Sequence, residues 1–295
     1  MELCEEMCKL CKKSGQLEYL IEIKKIILCK NCHGIFRVKK PNQISPSLNS
    51  TNFLKLFIHS RISKIQSESY IKYLKQKTDF SFKTSLDIGS GLGHFVQQLN
   101  HLGVDGYGIE SEENTVKHSV TIRNQCAYFD EHFFSEKKYD LISLNNCLYY
   151  FHDSFLIINK VVKMLNNDGL LFLATINPES SIRIKNYHGW AQGFGMCLSK
   201  KNFQELDQLG LKIVDISSFN DNLSKDFLFF KIKKMNKFTL FIKIILYLLK
   251  IKKMIEPDID GIQNFVLLKK FVELHDSTYD EELKNDTNVT QESKN

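Results

Sequence analysis

The sequence lacks the apolar segments that mark secreted and membrane-spanning chains. Its first residues, MELCEEMCKLCKK, contain no apolar core of a secretory signal. Its longest apolar run, Phe238 to Ile251, is interrupted by Lys243 and Lys250 and is shorter than the about 20 residues that a membrane-spanning helix requires. No internal repeat is visible either. With 43% hydrophobic and 25% charged residues, the composition is that of a folded protein, which we expect to be cytoplasmic.

Basic residues outnumber acidic ones, but the two are unevenly distributed. The chain has 40 basic and 34 acidic residues, a net charge of +6. Between residues 273 and 295, seven acidic residues are accompanied by only two lysines, and 272–295 is predicted to be a disordered acidic tail. The basic excess of the remaining chain is compatible with an anionic substrate, such as a nucleotide-linked compound or RNA, and equally with a solubilising surface.

Cysteines are few, and five of the eight fall within the first 32 residues. Two Cys-x-x-Cys pairs, Cys8 with Cys11 and Cys29 with Cys32, are separated by 17 residues. This spacing predicts a tetrahedral zinc site with four thiolate ligands rather than disulfides. Four protein ligands leave no position for water, so the metal would be structural and would stabilise a segment too small to fold on its own core. Two nearby residues, Cys4 and His33, are either spare ligand candidates or bystanders.

Before the acidic tail, the chain divides into three sections. Residues 1–40 hold the cysteine pairs and form the predicted zinc-binding module. Residues 41–82 combine a turn-rich linker, PNQISPSLNS, with a helix whose apolar residues recur at spacings of three and four. From 83 to 271, short apolar strands alternate with helices, which predicts an α/β fold with a mostly parallel sheet covered by helices on both faces. Within this domain, 220–257 is predicted to be a helical insertion.

The strongest motif of the third section is LDIGSGLGHF, in which a buried strand runs into three alternating glycines and then into a helix. Glycines allow a sharp turn and a close approach of the backbone to a ligand, and the N–H groups of the helix point at the loop. A dinucleotide-binding loop would place its third glycine three residues after the second, where this chain has His94. The spacing therefore departs from the dinucleotide pattern. The cofactor-binding candidates of the loop are Asp87, Gly89, Ser90, Gly91 and Gly93.

This motif is similar to motif I of class I S-adenosylmethionine-dependent methyltransferases, whose glycine loop wraps the amino-acid end of the cofactor. The resemblance covers roughly residues 84–217 and implies a Rossmann-like domain with a mostly parallel seven-stranded sheet. In the family, an acid that closes the second strand accepts hydrogen bonds from the ribose hydroxyls, and Glu110 stands at that place. Asp130, after the third strand, is either the adenine contact of the family or a plain surface acid.

The cysteine pairs and the cofactor motif together resemble a group of bacterial methyltransferases that act in the biosynthesis of surface polysaccharides, deoxysugars and other secondary metabolites. These enzymes begin with two zinc knuckles, the second of which is followed by a glycine and a hydrophobic pair. Here Gly34 comes one residue later than in that pattern, with His33 inserted. The resemblance implies S-adenosylmethionine as cofactor, a structural zinc ion, and a small-molecule acceptor such as a sugar nucleotide.

The catalytic base is the least defined element of the sequence. Quinone-type members of the family carry a Glu-His pair after the fourth strand, where this chain has Tyr149 and Tyr150. His152 nearby and His188 in a later glycine-rich loop are the candidate bases, because histidine can take up a proton near neutral pH. Each is otherwise an ordinary loop residue. Trp190, close to His188, is a further candidate for the acceptor pocket.

Two other functions stay open at this point. An rRNA or tRNA methyltransferase would use the zinc module to grip RNA, but the Asn/Asp-Pro-Pro-Tyr/Phe signature of amino-directed methylation and an aromatic-basic platform for stacked bases are both missing. A non-catalytic interaction protein would have the fold but would not bind the cofactor. The intact glycine loop argues against this interpretation. The lysine-rich apolar segment 225–253 is either a helix on a membrane surface or a helix packed on the domain. We expect no transmembrane segment and no nucleic-acid partner.

Overall fold

The structure is a computed structural model that describes residues 7–14, 17–21, 26–38, 53–130, 132–133, 135–181, 195–221, 236–249 and 255–271. The described residues form one large sheet with helices around it and one small sheet. None of the helices among them is long and apolar enough to cross a membrane. The predicted linker and acidic tail lie outside the described residues.

The strands follow the alternation of apolar and polar segments in the sequence. In chain order they are β1 (Leu17–Ile21), β2 (Ile26–Cys29), β3 (Ile35–Arg37), β4 (Thr84–Ile88), β5 (Asp105–Glu110), β6 (Asn124–Cys126), β7 (Tyr139–Asn145), β8 (Leu165–Ile176), β9 (Met196–Cys197), β10 (Leu211–Asp221), β11 (Ile255–Pro257) and β12 (Gln263–Lys270). The large sheet has the order β11, β10, β12, β8, β7, β4, β5, β6. The central strands β4 and β7 and the second half of β8, residues 171–176, are almost wholly buried, as expected of a sheet covered on both faces.

The large sheet confirms the predicted fold class. Its strands β6, β5, β4, β7 and β8 run parallel to their neighbours. β12 pairs antiparallel with β8, and β10 pairs antiparallel with β12. These seven strands form the mostly parallel sheet that the alternation predicted, in the Rossmann-like arrangement that the family resemblance implied. The short strand β11 pairs antiparallel with β10 and adds an eighth member at that edge.

The helices agree with the sequence pattern in position more than in length. They are α1 (Phe53–Lys77), α2 (His94–His101), α3 (Glu113–Lys117), α4 (Ser154–Met164), α5 (Lys200–Gln204) and α6 (Lys237–Leu248). The sequence pattern predicts helices over 112–121, 155–165 and 199–209. α4 begins within one residue of the second, because the carboxylate of Asp153 accepts two backbone N–H groups of its first turn. α3 is shorter than the first, because the hydroxyl of Ser119 accepts the N–H of Thr121 and holds that stretch in a turn. The third is divided into α5 and a 3-10 turn.

Helix α1 belongs to the core of the large sheet. Tyr70 and Tyr73 are buried, and each lies against Phe172 of β8 and Phe265 of β12, with ring centroids 5.3 to 5.7 Å apart. Tilted and edge-on aromatic contacts of this kind stabilise a core beyond the burial of their area. The Tyr73 hydroxyl donates to the carboxylate of Asp215 at 2.6 Å, so the polar end of the ring is also satisfied. The sequence pattern had placed this helix with the linker.

The small sheet joins the N-terminal strands to a strand much later in the chain. Its order is β1, β2, β3, β9, and every pair in it is antiparallel. Ile35 pairs with Cys197, and Phe36 pairs with Met196, so a strand of the predicted methyltransferase section completes the sheet of the predicted zinc module. The two sections therefore share one sheet, although they are separated by more than 150 residues of sequence.

Candidate active site and cysteine cluster

The loop after β4 turns through three glycines with left-handed backbone. The φ angle is +70° at Gly89, +55° at Gly91 and +76° at Gly93, a region that favours glycine. A Cβ atom at Gly89 would lie 2.7 Å from the Cβ of Cys147. One at Gly93 would lie 2.7 Å from the Oγ of Ser119, whereas one at Gly91 would meet nothing within 4 Å. The outer two glycines are thus required by packing, and the middle one borders open space.

Asp87 lies at the end of β4 and is only 2% exposed. Its Oδ1 accepts the hydroxyl of Ser143 at 2.7 Å and the side-chain amide of Asn145 at 2.9 Å, both from the adjacent strand β7. Burial raises the pKa of Asp87 to about 7, although these two hydrogen bonds act in the opposite direction. Near neutral pH the carboxyl is therefore divided between its protonated and ionised forms.

Glu110 connects the end of β5 to the glycine loop. One carboxylate oxygen accepts the N–H of Gly91 at 3.0 Å, and the other accepts the N–H of Glu112 at the same distance. The hydroxyl of Ser111 also donates to it, at 3.3 Å. A carboxylate has about four acceptor positions, so this side chain can still accept hydrogen bonds from a ligand.

The two other predicted cofactor contacts have partners within the protein. The hydroxyl of Ser90 donates to the side-chain carbonyl of Asn124, whose amide in turn donates to the carbonyl of Gly91 at 2.8 Å. The carboxylate of Asp130 accepts two backbone N–H groups of the turn that follows it, at 2.9 and 3.1 Å. Both residues also line the cavity described next, so their positions are fixed before any ligand arrives.

A cavity of about 780 Å³ borders the glycine loop and Glu110. It lies at the carboxyl ends of β4, β5 and β7, the place where open α/β sheets bind ligands, and its size is typical of small-molecule sites. Asp87, Ser90, Gly91 and Asp130 are on its wall, while Gly93 packs behind the loop. Helix α1 also lines the cavity, which the sequence pattern did not reveal. Its residues there are His59, Ser63, Gln66, Ser67 and Tyr70.

The turn after β7 supplies a third wall. Tyr149 and Tyr150 line the cavity with their rings 4.6 Å apart, and His152 follows them on the same wall. The structure thus brings His152 and the cofactor candidates of the glycine loop into one cavity. His188 and Trp190, the other predicted acceptor residues, lie outside the described residues.

A network of hydrogen-bonded polar side chains forms part of the cavity wall, and sequence reasoning missed it. Asn146, in a left-handed conformation with φ +58°, donates its amide to the hydroxyl of Tyr70 at 2.8 Å. Its side-chain carbonyl accepts the amide of Gln263 at 3.1 Å, and Gln66 donates to buried Asp221 at 3.1 Å. The only sequence signal was the Asn-Asn pair that closes β7, because the partners come from α1, β10 and β12.

The four predicted metal ligands converge at one point. The sulfur atoms of Cys8, Cys11, Cys29 and Cys32 all lie within 4.8 Å of one another. The sulfurs of Cys8 and Cys32 are 3.8 Å apart, and so are those of Cys11 and Cys29. Tetrahedral zinc with bonds of about 2.3 Å requires separations of about 3.8 Å between its sulfur ligands. The cluster therefore has the dimensions of a four-thiolate zinc site.

The two cysteine pairs have the same turn geometry. Each is followed by a left-handed residue, Lys12 with φ +54° and His33 with φ +60°. The N–H of each donates to the carbonyl of the first cysteine of its pair, at 2.9 and 2.7 Å. The imidazole of His33 lies 3.1 Å from the carboxylate of Glu179, not among the thiols. His33 thus occupies a backbone position that glycine would favour, and Cys4 lies outside the described residues.

The cysteine cluster is hydrogen-bonded to the cavity wall through a short segment. The hydroxyl of Ser199 donates to the carbonyl of Cys32. Gly195 accepts the N–H of Arg37 at 2.9 Å and donates its own N–H to the carbonyl of Tyr149 at 2.8 Å. The backbone of Gly195 is therefore bonded on one side to the end of β3 and on the other to the turn that lines the cavity.

The strand order, the glycine loop between β4 and α2, the acid that ends β5, and the cavity at these strand ends define a class I methyltransferase. The chain matches the family described as "Methyltransferase domain" over residues 58–215, more than half of its length, and it belongs to that family. It is an S-adenosylmethionine-dependent methyltransferase, which sets aside the interpretation as a non-catalytic protein.

Solved structures of methyltransferases are similar to this chain in fold. The plantazolicin methyltransferase BamL is 17% identical, with 72% of this chain and 86% of that chain covered and a TM-score of 0.46. The magnesium protoporphyrin IX methyltransferase of Synechocystis is 13% identical, with 75% and 89% covered and a TM-score of 0.46. A methyltransferase of Clostridium acetobutylicum is 11% identical, with 70% and 91% covered and a TM-score of 0.47. No curated protein sequence matches the chain significantly. Nothing about the methyl acceptor follows from these likenesses.

Proposed function

We propose that the cavity holds S-adenosylmethionine on the side of the glycine loop and a small polar acceptor against α1 and the turn after β7. The observation that carries this proposal is that one cavity joins Gly91 and Glu110 to His152 and to the polar face of α1. When bound, S-adenosylmethionine supplies a methyl group on a positively charged sulfur. The residues of the chain then have to align the acceptor for in-line attack and to receive its proton.

The acidic residues of the cavity suit a cationic cofactor. Asp87, Glu110 and Asp130 all line it, and their charge is complementary to a ligand that carries a sulfonium and an ammonium group. Glu110 is proposed to accept the ribose hydroxyls and Asp130 to border the adenine, while Gly91 allows the backbone to approach the cofactor. The loop residues proposed to hold the shape of the site are Gly89, Ser90 and Gly93.

The acceptor side of the cavity favours a hydroxylated molecule over RNA. No Lys or Arg is among the described residues that line it, and RNA binding depends on such residues for phosphate contacts. Gln66, Tyr70, Asn146 and His152 instead offer amide, hydroxyl and imidazole groups, which hydrogen-bond to sugar hydroxyls. We propose a sugar-nucleotide-type or related envelope or secondary metabolite, with its sugar inside the cavity and any phosphates outside the described wall.

A transfer assay with a labelled methyl group tests this acceptor class. The purified protein is offered nucleotide sugars in one set of reactions and total rRNA or tRNA in another. We expect label to enter the sugar set, because the described cavity wall has no Lys or Arg for contacts to an RNA backbone. Label in RNA alone would overturn the proposed acceptor and favour the RNA methyltransferase, while the methyltransferase itself would stand.

Cofactor binding depends on two residues that can be changed separately. We expect Glu110→Ala to weaken the affinity for S-adenosylmethionine by about 10- to 150-fold, since a charge-assisted hydrogen bond contributes about 1.5–3 kcal/mol. Gly91→Val should weaken it too, because the new side chain would occupy the open space that the cofactor needs. Calorimetric titration of each variant gives the affinity.

The controls separate these effects from general damage to the fold. Gly103 has φ +86° and open space around it but is not on the cavity wall, so Gly103→Val imposes similar backbone strain without touching the site. Glu113→Ala removes an exposed acid close to Glu110 in sequence. Unchanged affinity in both site variants would show that the cofactor binds elsewhere.

The affinity for S-adenosylmethionine should depend on pH through Asp87. A cationic ligand favours the ionised carboxylate, whose pKa is about 7 in the free protein. Below pH 7 binding must therefore expel a proton, so we expect the affinity to fall by up to about tenfold per pH unit and to level off above pH 7. Titrations from pH 5.5 to pH 8 measure this. Asp87→Asn keeps an oxygen for Ser143 and Asn145 but does not titrate. The affinity of this variant for S-adenosylmethionine should therefore be independent of pH in this range. If the affinity of the variant still falls at low pH, the proton expelled on binding belongs to another group.

The raised pKa of Asp87 also predicts how the stability of the ligand-free protein depends on pH. The folded chain holds the Asp87 proton up to about pH 7, and the unfolded chain only up to about pH 4. This group therefore makes the free energy of unfolding decline as the pH rises from about 4 to 7. Asp87→Asn should remove that decline.

We further propose that the cysteine cluster binds one structural zinc ion. The fit of the sulfur separations to tetrahedral zinc supports it, and four thiolates fill every ligand position. Bound zinc would fix the two Cys-x-x-Cys turns to each other. The predicted module 1–40 would then be held together by the metal rather than by a hydrophobic core of its own.

A further inference from the structure

Helix α6 is apolar on two opposite faces. One face carries Leu240, which is buried, and Ile244, which packs with Ile62 and Ile65 of α1. This contact accounts for one side of the helix. It leaves the other side to be explained, because a helix that is apolar all round is normally covered all round.

The outer face of α6 is an exposed apolar stripe. Its residues follow the spacing of one helix face, and a turn of helix continues past α6, since the N–H of Leu249 bonds to the carbonyl of Ile245 at 2.9 Å. Single exposed apolar residues are ordinary, but a continuous stripe marks an interaction surface. The outer stripe consists of Phe238 (67% exposed), Phe241 (57%), Ile242 (41%), Ile245 (37%) and Leu249 (63%).

The sequence around α6 holds the net positive charge of the whole chain. Residues 227–254 contain eight lysines and no acidic residue, whereas the rest of the chain has 32 basic and 34 acidic residues. Four of these lysines precede Phe238 and three follow Leu249, so basic residues flank the outer stripe at both ends of the sequence segment. The surface that covers the stripe must therefore tolerate or attract positive charge.

Three kinds of occupant can be compared on these grounds. A second copy of the chain would bring eight further lysines against the first eight, and like charges at close range repel. RNA would pair with the lysines but would leave five apolar side chains in water. An anionic bilayer surface satisfies both features, because its acyl region takes up the apolar stripe while its headgroups attract the lysines.

We propose that α6 docks this enzyme on an anionic lipid surface, with the outer stripe inserted at the boundary between headgroups and acyl chains. At about 18 Å the helix lies in the plane of the surface rather than across the bilayer. Its inner face stays on α1, whose residues Gln66 and Tyr70 line the cavity, so the docked surface is one helix away from the cavity. The docking is independent of the identity of the methyl acceptor.

Vesicle flotation with the full chain tests the proposal. We expect the protein to float with vesicles of phosphatidylcholine and phosphatidylglycerol, to bind vesicles of phosphatidylcholine alone much more weakly, and to be released by high salt, which screens the charge. Phe238→Ser/Phe241→Ser should reduce the bound fraction on anionic vesicles about tenfold or more, through lost apolar burial. Lys233→Glu/Lys234→Glu should reduce it as well.

Ile122→Ser is the matched control, since Ile122 is 99% exposed and lies in the turn before β6. It should bind vesicles as the wild type does, and all variants should retain their affinity for S-adenosylmethionine. Absence of vesicle binding by the wild type would overturn the proposal, as would undiminished binding by Phe238→Ser/Phe241→Ser. A wild-type dimer in sedimentation velocity that the same double variant dissociates, without vesicle binding, would overturn it in favour of a second copy.

Discussion

The purified protein is expected to contain about one zinc ion per chain, and Cys29→Ser/Cys32→Ser is expected to lose both the metal and much of its stability. The expected effect is large, because zinc binding contributes about 10–16 kcal/mol in small zinc-finger peptides, where binding and folding are one process. In this chain the loss would also reach β3, which follows Cys32 directly and pairs with β9. Metal analysis of the wild type and thermal unfolding of both proteins measure the two effects.

Cys126→Ser provides the comparison for this experiment. Cys126 is a free, exposed cysteine far from the cluster in sequence, so its loss should leave the zinc content and the melting temperature unchanged. A wild type that is free of metal and yet well folded would refute the zinc proposal. Partial zinc loss on chelation, accompanied by a lower melting temperature, would agree with it.

His152→Ala is expected to lower turnover by about 100- to 10,000-fold, the usual contribution of a general base, while the affinity for S-adenosylmethionine stays the same. His152 lies on the cavity wall with Tyr149 and Tyr150. A hydroxyl or an enolisable carbon must lose a proton to accept a methyl group, and imidazole accepts a proton near neutral pH. Single-turnover transfer rates and calorimetric affinities, measured on the same preparations, separate the two properties.

Two further variants test whether a loss of turnover in His152→Ala is specific to a catalytic base. His101→Ala changes an exposed histidine at the end of α2 and should transfer methyl groups at the wild-type rate. His188→Ala tests the second candidate base in the same assay. Transfer to sugars that persists in the double variant His152→Ala/His188→Ala would keep the proposed function and eliminate both histidines as the base.

Short-range patterns determined much of the architecture. The glycine loop was predictable because Gly89, Gly91 and Gly93 alternate within one short stretch of the chain and each has a left-handed φ. Glu110 was predictable because it closes the strand next to β4, and the four thiolates because their spacing is local within each pair. For the same reason the parallel order of the large sheet followed from the alternation of strands and helices.

The remaining features depend on contacts between distant segments. Tyr70 lies on a helix that reads as an ordinary amphipathic segment, yet it receives a hydrogen bond from Asn146, 76 residues later. β9 is only two residues long, too short for any periodic signal, and it is defined entirely by its pairing with β3. Gly195 likewise bonds to Tyr149 in the turn after β7, a contact that no local motif predicts. Contacts of this kind can be identified only in the folded structure, where distant segments lie side by side.

The pairing of β3 with β9 has a consequence for the order in which the protein is made. On a translating ribosome, β3 is complete about 160 residues before β9 exists, which corresponds to roughly 10–30 s at ordinary rates of synthesis. During that interval the nascent chain presents β3 as an open strand edge, a site at which unfinished chains can stick to one another. Metal captured early by the four cysteines would keep this hairpin folded while it waits. Supply of zinc to the cell should therefore influence how much of this protein is produced in usable form, before any question of its activity arises.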